Sequence, residues 1–229
     1  MTGWFDVWSR RENFAATLDL QGLLALDGFD TGAGSIAAED FLSSVVSVRE
    51  KLGVFEGASV FEVGCGAGAF LYALNSIVPI DANGLDWSQK LIAYARKSLP
   101  NGDFLCIPAV DMLQSPRYDY VVSNSLFHYL SETDAALVLS QMKLKARRGI
   151  AVLDVPDLSK REEAEELRRG ALSPGEYAIK YRGLQHTYYE KDWFLKVSGD
   201  YEVEINQGSI PNYLQSHLRF NVFLTKKFS

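Results

Sequence analysis

A chain of 229 residues with 47% hydrophobic and 12% aromatic side chains holds enough apolar material for one large core, the size of a single α/β domain. Its 29 acidic residues outnumber 23 basic ones, giving a formal charge of -6 with the two signs interspersed. No basic stripe suited to a phosphate backbone is visible, so nucleic acid is not expected as the partner.

In chain order, the opening MTGWFDVWSRRENF lacks the apolar core of a signal peptide, and no apolar run reaches membrane-spanning length. A cytoplasmic protein, monomeric or homodimeric and away from membranes, is the expectation. A helix is predicted from Ala38 to Leu52. Ala58–Val63 (ASVFEV) is a short apolar, β-branched run ending at a glycine cluster, as a buried parallel strand would. Ala69–Ser76 then reads as a helix and Ile80–Leu85 as a second strand ending at Asp86. Ser88 can cap the helix SQKLIAYARKSL, which stops at Pro100.

Phe104–Ile107, Tyr118–Ser123 and Gly149–Val155 are three further strands, with a helix starting near Thr133 before the last of them. This alternation predicts a parallel sheet with helices on both faces. Tyr201–Ile205 and Arg219–Thr225 follow with no long helix between them, so they are expected to pair antiparallel at one edge of a seven-stranded sheet. Between Asp157 and Gly199 lie a charged helical piece, SKREEAEELRRGAL, and the aromatic cluster HTYYEKDWF. That stretch is too long for a tight loop and suits a lid or a substrate wall.

The stretch Phe61-Glu62-Val63-Gly64-Cys65-Gly66-Ala67-Gly68-Ala69 carries the most information. Glycines at a strand-to-helix turn let backbone N–H groups approach a ligand, and the helix N-terminus behind them favours negative charge. Gly64, Gly66 and Ala69 satisfy the dinucleotide pattern, with Asp86 at about the expected twenty-residue distance. The pattern alone leaves NAD and other adenosine-bearing ligands open. Glu62 argues against a pyrophosphate, since a carboxylate at the turn welcomes an ammonium and repels a phosphate.

With FEVGCGAGAF at the first turn, GLDWS after the second strand, DYVVSNSLFHYL at the fourth and GIAVLDVPD at the fifth, the sequence resembles the class I S-adenosylmethionine-dependent methyltransferases of small-molecule type. The resemblance runs over about Ala58–Pro156 and more weakly into the C-terminal strands. It implies a Rossmann-like fold and S-adenosylmethionine as cofactor. It also implies Glu62, Gly64, Gly66 and Gly68 at the methionyl portion, Cys65 contacting by its backbone, and Asp86 holding the ribose hydroxyls. A carboxylate can accept both hydrogen bonds of a vicinal diol, which agrees with that role for Asp86. Trp87 could lie flat on adenine. Where related enzymes carry an acid after the third strand, CIPAVDML places Pro108 or Ala109, so Asp111 or backbone near Val110 would have to serve.

The implied organisation is one domain: a helical cap over 1–53, a cofactor-binding core over 54–157, a lid-like insertion over 158–199 and C-terminal strands over 200–229. Ser123, Asn124, Phe127 and His128 follow the fourth strand, where ligands bind in open parallel sheets. His128 could take a proton from an attacking hydroxyl or amine, and His186, with Tyr188 and Tyr189, could contact substrate from the insertion. No ligand set for a metal is evident, Asp154 and Asp157 notwithstanding, and neither Cys65 nor Cys106 has metal-ligand or disulfide spacing. The acceptor expected is a small molecule. The rival readings are an NAD(P)-dependent oxidoreductase and a non-catalytic ligand-binding protein of the same fold.

Overall fold

The computed structural model describes residues 3–4, 17–30, 32–170 and 172–226. The stretch 5–16 of the expected N-terminal cap lies outside the described residues. Seven strands form one sheet: β1 Ser59–Val63, β2 Asp81–Asp86, β3 Asp103–Cys106, β4 Tyr118–Asn124, β5 Ala146–Pro156, β6 Tyr201–Gln207 and β7 Arg219–Lys226. Their spatial order is β3-β2-β1-β4-β5-β7-β6, with β1 to β5 parallel and β7 antiparallel to both β5 and β6. The antiparallel C-terminal strand thus sits one place in from the edge, and β6 covers it. The fold is Rossmann-like, as the strand–helix alternation predicts.

Eight α-helices are described: α1 Leu20–Leu26, α2 Ala38–Leu52, α3 Ala69–Ile77, α4 Gln89–Ser98, α5 Glu132–Lys145, α6 Arg161–Arg169, α7 Pro174–Lys180 and α8 Lys191–Ser198. Local chemistry sets their ends. Gly53 closes α2 in the left-handed conformation, Ser88 accepts from Leu91 N–H at the start of α4, and Ser131 accepts from Asp134 N–H at the start of α5. A reciprocal Ser173–Glu176 capping box starts α7 behind Pro174.

Successive residues of each central strand face opposite ways, so the sheet carries two cores. On one face Val60, Val122 and Ala151 pack with Phe41 and Val45 of α2 and Phe70, Leu71 and Leu74 of α3. On the other, Phe61, Val121 and Ile150 pack with Val138, Leu139 and Met142 of α5. The insertion is anchored in this second core. Tyr189 and Phe194 are buried there, and the Tyr189 hydroxyl donates to the carbonyls of Phe127 and Leu130 at 2.9 and 3.2 Å. These aromatics therefore pack the insertion onto the sheet. Among the described residues no helix is long and apolar enough to cross a membrane.

Helix α1 rests on α3 through Leu23 and Leu24, both fully buried. Leu24→Ala should lower stability by roughly 2–5 kcal/mol, the cost of a cavity left by a buried leucine, and show as an earlier midpoint in urea unfolding.

Candidate active site

The strand order reverses between β1 and β4. Beyond the carboxyl ends of these strands lies a cavity of about 430 Å³. The glycine loop forms its floor. Gly64, Gly66 and Gly68 take φ of +74°, +53° and +90°, a left-handed conformation that side chains rarely adopt. A Cβ on Gly64 would press on Leu126, and one on Gly66 would collide with the carboxylate of Asp27.

Every N–H of this loop is already paired. Gly64 and Cys65 donate to the Leu85 carbonyl at 2.9 and 2.8 Å, and Gly68 to the Cys65 carbonyl at 2.8 Å. Gly66 donates to Asp86 Oδ2 at 3.1 Å, while Ala67 and Ala69 donate to the two oxygens of Asp27 at 2.6 and 3.3 Å. Asp27 directly follows α1 and caps the N-terminus of α3 from outside. The positive end of that helix is therefore answered by a carboxylate of the chain itself.

Two further acids border the same space. Asp86, at the end of β2, also accepts from Ser88 N–H at 2.8 Å. Burial raises its pKa, and the N–H groups of Ser88 and Gly66 oppose that rise. Glu62 is 2% exposed, lines the cavity, and its Oε2 has no hydrogen-bond partner among the described residues. Its carboxyl lies well above the usual range, chiefly through burial and then through the negative charges of Asp27 and Asp86. Burial likewise pushes the Cys65 thiol up, which makes it a poor nucleophile.

Of the residues singled out in the sequence, Glu62, Gly64, Cys65, Gly66, Asp86, Trp87, Asn124 and His128 line the cavity. Gly68, Asp111, Ser123 and His186 do not. Gly68 shapes the loop from beneath, where a Cβ would meet Ala95. Ser123 is wholly buried one residue short of the lining Asn124, and Asp111 is exposed on the 3₁₀ turn Ala109–Asp111. The His186 ring sits 4.6 Å from that of His128 and stacks at 5.0 Å on Trp4, which does line the cavity. His128 is held well below its ordinary pKa by burial, then by His186, Arg219 and Arg168. Burial and the same two arginines bring His186 down to about 2. Both imidazoles are neutral at physiological pH.

Residues 60–149 match the family model described as a methyltransferase domain. Over that span the chain is similar to this family. Its fold is shared with solved structures at low identity. Magnesium protoporphyrin IX methyltransferase from Synechocystis PCC 6803, solved with bound SAH, is 16% identical over 91% of this chain and 98% of that one, at a TM-score of 0.63. The plantazolicin methyltransferase BpumL in complex with SAH is 17% identical over 82% and 84%, at 0.61. Streptomyces venezuelae DesVI is 15% identical over 82% and 92%, at 0.60. No curated protein matches the sequence.

Three charged residues of the cavity escaped the sequence reading: Asp27, Arg168 and Arg219. Arg219 stands at the start of β7 and is 6% exposed. Its Nη1 lies 3.8 Å from Asp154 Oδ2 and its Nη2 donates to Gln215 Oε1 at 2.8 Å. Asp154 and Ser125 hold positive φ of 57° and 52°, and the Ser125 hydroxyl donates to Asp154 Oδ2 at 2.5 Å. The strain at these two residues, of order 1–3 kcal/mol each, sits beside the cavity. Asp157 is engaged elsewhere, by Ser159 and Lys191.

The unpartnered Glu62 generates a pH-dependent expectation. A carboxyl whose folded pKa is raised gives its full share of stability below the unfolded value, near 4.5, and loses it as pH rises through the folded value. Gln imitates the protonated acid. Glu62→Gln should therefore stabilise the unliganded protein at pH 8 by roughly 1–3 kcal/mol, the cost of a buried unsatisfied group. Thermal melts should show that gain shrinking toward nothing near pH 4. A gain constant across that range would mean that the carboxylate carries no penalty in the fold.

Proposed function

We propose that this chain transfers the methyl group of S-adenosylmethionine to a small-molecule acceptor held in the same cavity. One observation carries the reading: the carboxylates of Asp27, Glu62 and Asp86 meet at a glycine loop whose N–H groups are all occupied. A pyrophosphate there would face acidic groups without a free loop donor. A ligand with an ammonium, a sulfonium and no phosphate meets the opposite situation. The buried, unpartnered Oε2 of Glu62 is a fitting acceptor for the ammonium, with Asp27 adding negative charge from the other side. Asp86 is free to accept ribose hydroxyls on oxygens that now take one N–H each, and Trp87 offers an adenine contact.

When bound, S-adenosylmethionine supplies a methyl carbon on a positive sulfur, which an acceptor lone pair takes in one in-line displacement while the C–S electron pair stays on sulfur. The protein's share is alignment and exclusion of water. Trp4, Tyr129 and Leu126 line the space and offer the apolar surface for that. His128 presents a neutral imidazole whose Nδ1 has no partner among the described residues, so it can accept a hydrogen bond from the acceptor's hydroxyl or amine. Its lowered basicity suits orienting that proton better than removing it. His186, behind His128, is a positioning residue. The domain boundaries follow the same division, with the core presenting the donor and the cap and insertion completing the acceptor side.

Calorimetric titration with S-adenosylmethionine, S-adenosylhomocysteine and NADH tests the reading. Micromolar binding of the first two and none of NADH is expected, and NADH binding alone would overturn it. Asp86→Ala should weaken S-adenosylhomocysteine binding by about 1.5–3 kcal/mol, or roughly ten- to a hundred-fold, the range for hydrogen bonds to a charged group.

A further inference from the structure

The cavity is electrically lopsided. Its acids gather at the glycine loop, while two guanidinium groups, Arg168 and Arg219, border the remainder. Arg219 is buried, yet among the described residues its charge is answered only at 3.8 Å by Asp154, whose Oδ2 already accepts a serine hydroxyl. Its other contacts are neutral oxygens, the Asp154 carbonyl at 3.3 Å and the Gln215 amide oxygen at 2.8 Å. A guanidinium has five donors in a planar fork, and several remain for a ligand.

Arg168, on α6, has no carboxylate at ion-pair distance among the described residues. Its Nη2 donates to the Leu184 carbonyl at 3.3 Å, and the guanidinium lies 4.2 Å from the Tyr181 ring centre and 5.4 Å from that of Trp4. Aromatic faces hold the group in place without neutralising it. The nearby imidazoles of His128 and His186 are neutral and add no charge of either sign. Placing two guanidiniums on one cavity with a single distant carboxylate, one of them buried, is costly unless the occupant brings negative charge. Trp4, Tyr129, Tyr181 and Tyr213 on the same walls suit a flat body.

We infer that the methyl acceptor is a small acid with a flat, unsaturated body, and that Arg168 and Arg219 together receive its carboxylate or phosphate. This rests on the proposed methyl transfer for the word acceptor, but the anion site stands on its own geometry. The two ends of the cavity then sort their ligands by charge: the cation-bearing donor against the acids, the anion-bearing acceptor against the arginines. The anionic group fixes the acceptor's orientation, and its reacting hydroxyl or amine is a different part of the molecule.

The full chain, with and without saturating S-adenosylhomocysteine, is titrated with benzoate, 4-hydroxybenzoate and phenyl phosphate beside the uncharged benzamide, 4-hydroxybenzamide and phenol. Tryptophan emission reads binding, since Trp4 and Trp87 line the cavity. At least one acid should bind about tenfold or more tightly than its uncharged counterpart, with carboxylate against phosphate telling which oxyanion the site prefers. Arg168→Gln should abolish that preference and leave S-adenosylhomocysteine affinity unchanged, and Arg168→Lys should recover part of it. Arg168 is chosen because Arg219 is buried in the sheet and its loss endangers folding; a thermal melt confirms that each variant is folded. Acids bound no better than their neutral counterparts, no acid bound at all, or an Arg168→Gln protein that keeps the preference would each overturn the inference. Failure of S-adenosylhomocysteine to bind would strike the methyl-donor reading instead, and the titrations made without it would still decide this one.

Discussion

A helix that starts at a glycine loop exposes N–H groups and the positive end of its dipole, and in many folds that potential attracts a phosphate. Here Asp27 supplies the anion from within the chain, donated to by Ala67 and Ala69 N–H at 2.6 and 3.3 Å. Much of the site depends on this contact. It needs α1 seated on α3 so that the residue just past the helix reaches the loop, and it needs a glycine at 66, where any side chain would collide with the carboxylate. It adds a second negative charge near Glu62 and so helps burial to raise the pKa of that carboxyl. A loop that by sequence could hold a dinucleotide becomes one that favours a cation.

The same constraint explains why the fold tolerates poor local energetics around the cavity. A buried carboxyl oxygen without a partner, two residues with positive φ and a buried arginine with a distant counter-charge would each be unfavourable in a core. They occur together where the strands end, and no group among the described residues completes the hydrogen bond of Glu62 Oε2. Sites of this kind trade unliganded stability for binding, because the energy withheld from folding becomes available when the occupant arrives.

Much of the architecture was legible because the signals are local. β-Branched apolar runs stop at glycines, Ser88 and Gly53 mark helix ends, and the absence of a crossover helix before Arg219 forces an antiparallel pair. The glycine-loop side of the cavity was legible for the same reason, since Glu62, the glycines and Asp86 sit on a strand–turn–helix–strand unit with fixed spacing. Asp111 and Ser123 show where spacing runs out: one or two residues of phase at a strand end decide whether a side chain meets the cavity, the solvent or the core. Asp27 was illegible because its partners are forty residues away and its neighbours read as an ordinary helix end. Arg168 looks like one charge among many on an exposed amphipathic helix, and Arg219 like the polar start of a strand. Only tertiary placement separates them from solvated side chains.

The division between core and additions also bears on how specificity is built. The methyltransferase-domain match ends at residue 149, and within it lie Glu62, the glycine loop, Asp86 and His128. Trp4, Asp27, Arg168, Tyr181, Tyr213 and Arg219 all line the cavity from outside that span. A parallel sheet fixes what its strand ends can reach, so chemistry common to a donor belongs there, on rigid elements with few alternatives. An acceptor varies in shape and charge, and the segments that meet it are attached to the sheet by packing that carries no chemistry, as Tyr189 and Phe194 do for the insertion. Such segments can exchange one charged side chain for another without disturbing the strands beneath. Arg168 and Arg219 occupy that adjustable layer, so the charge lining this part of the cavity comes from residues that the core fold leaves free to change.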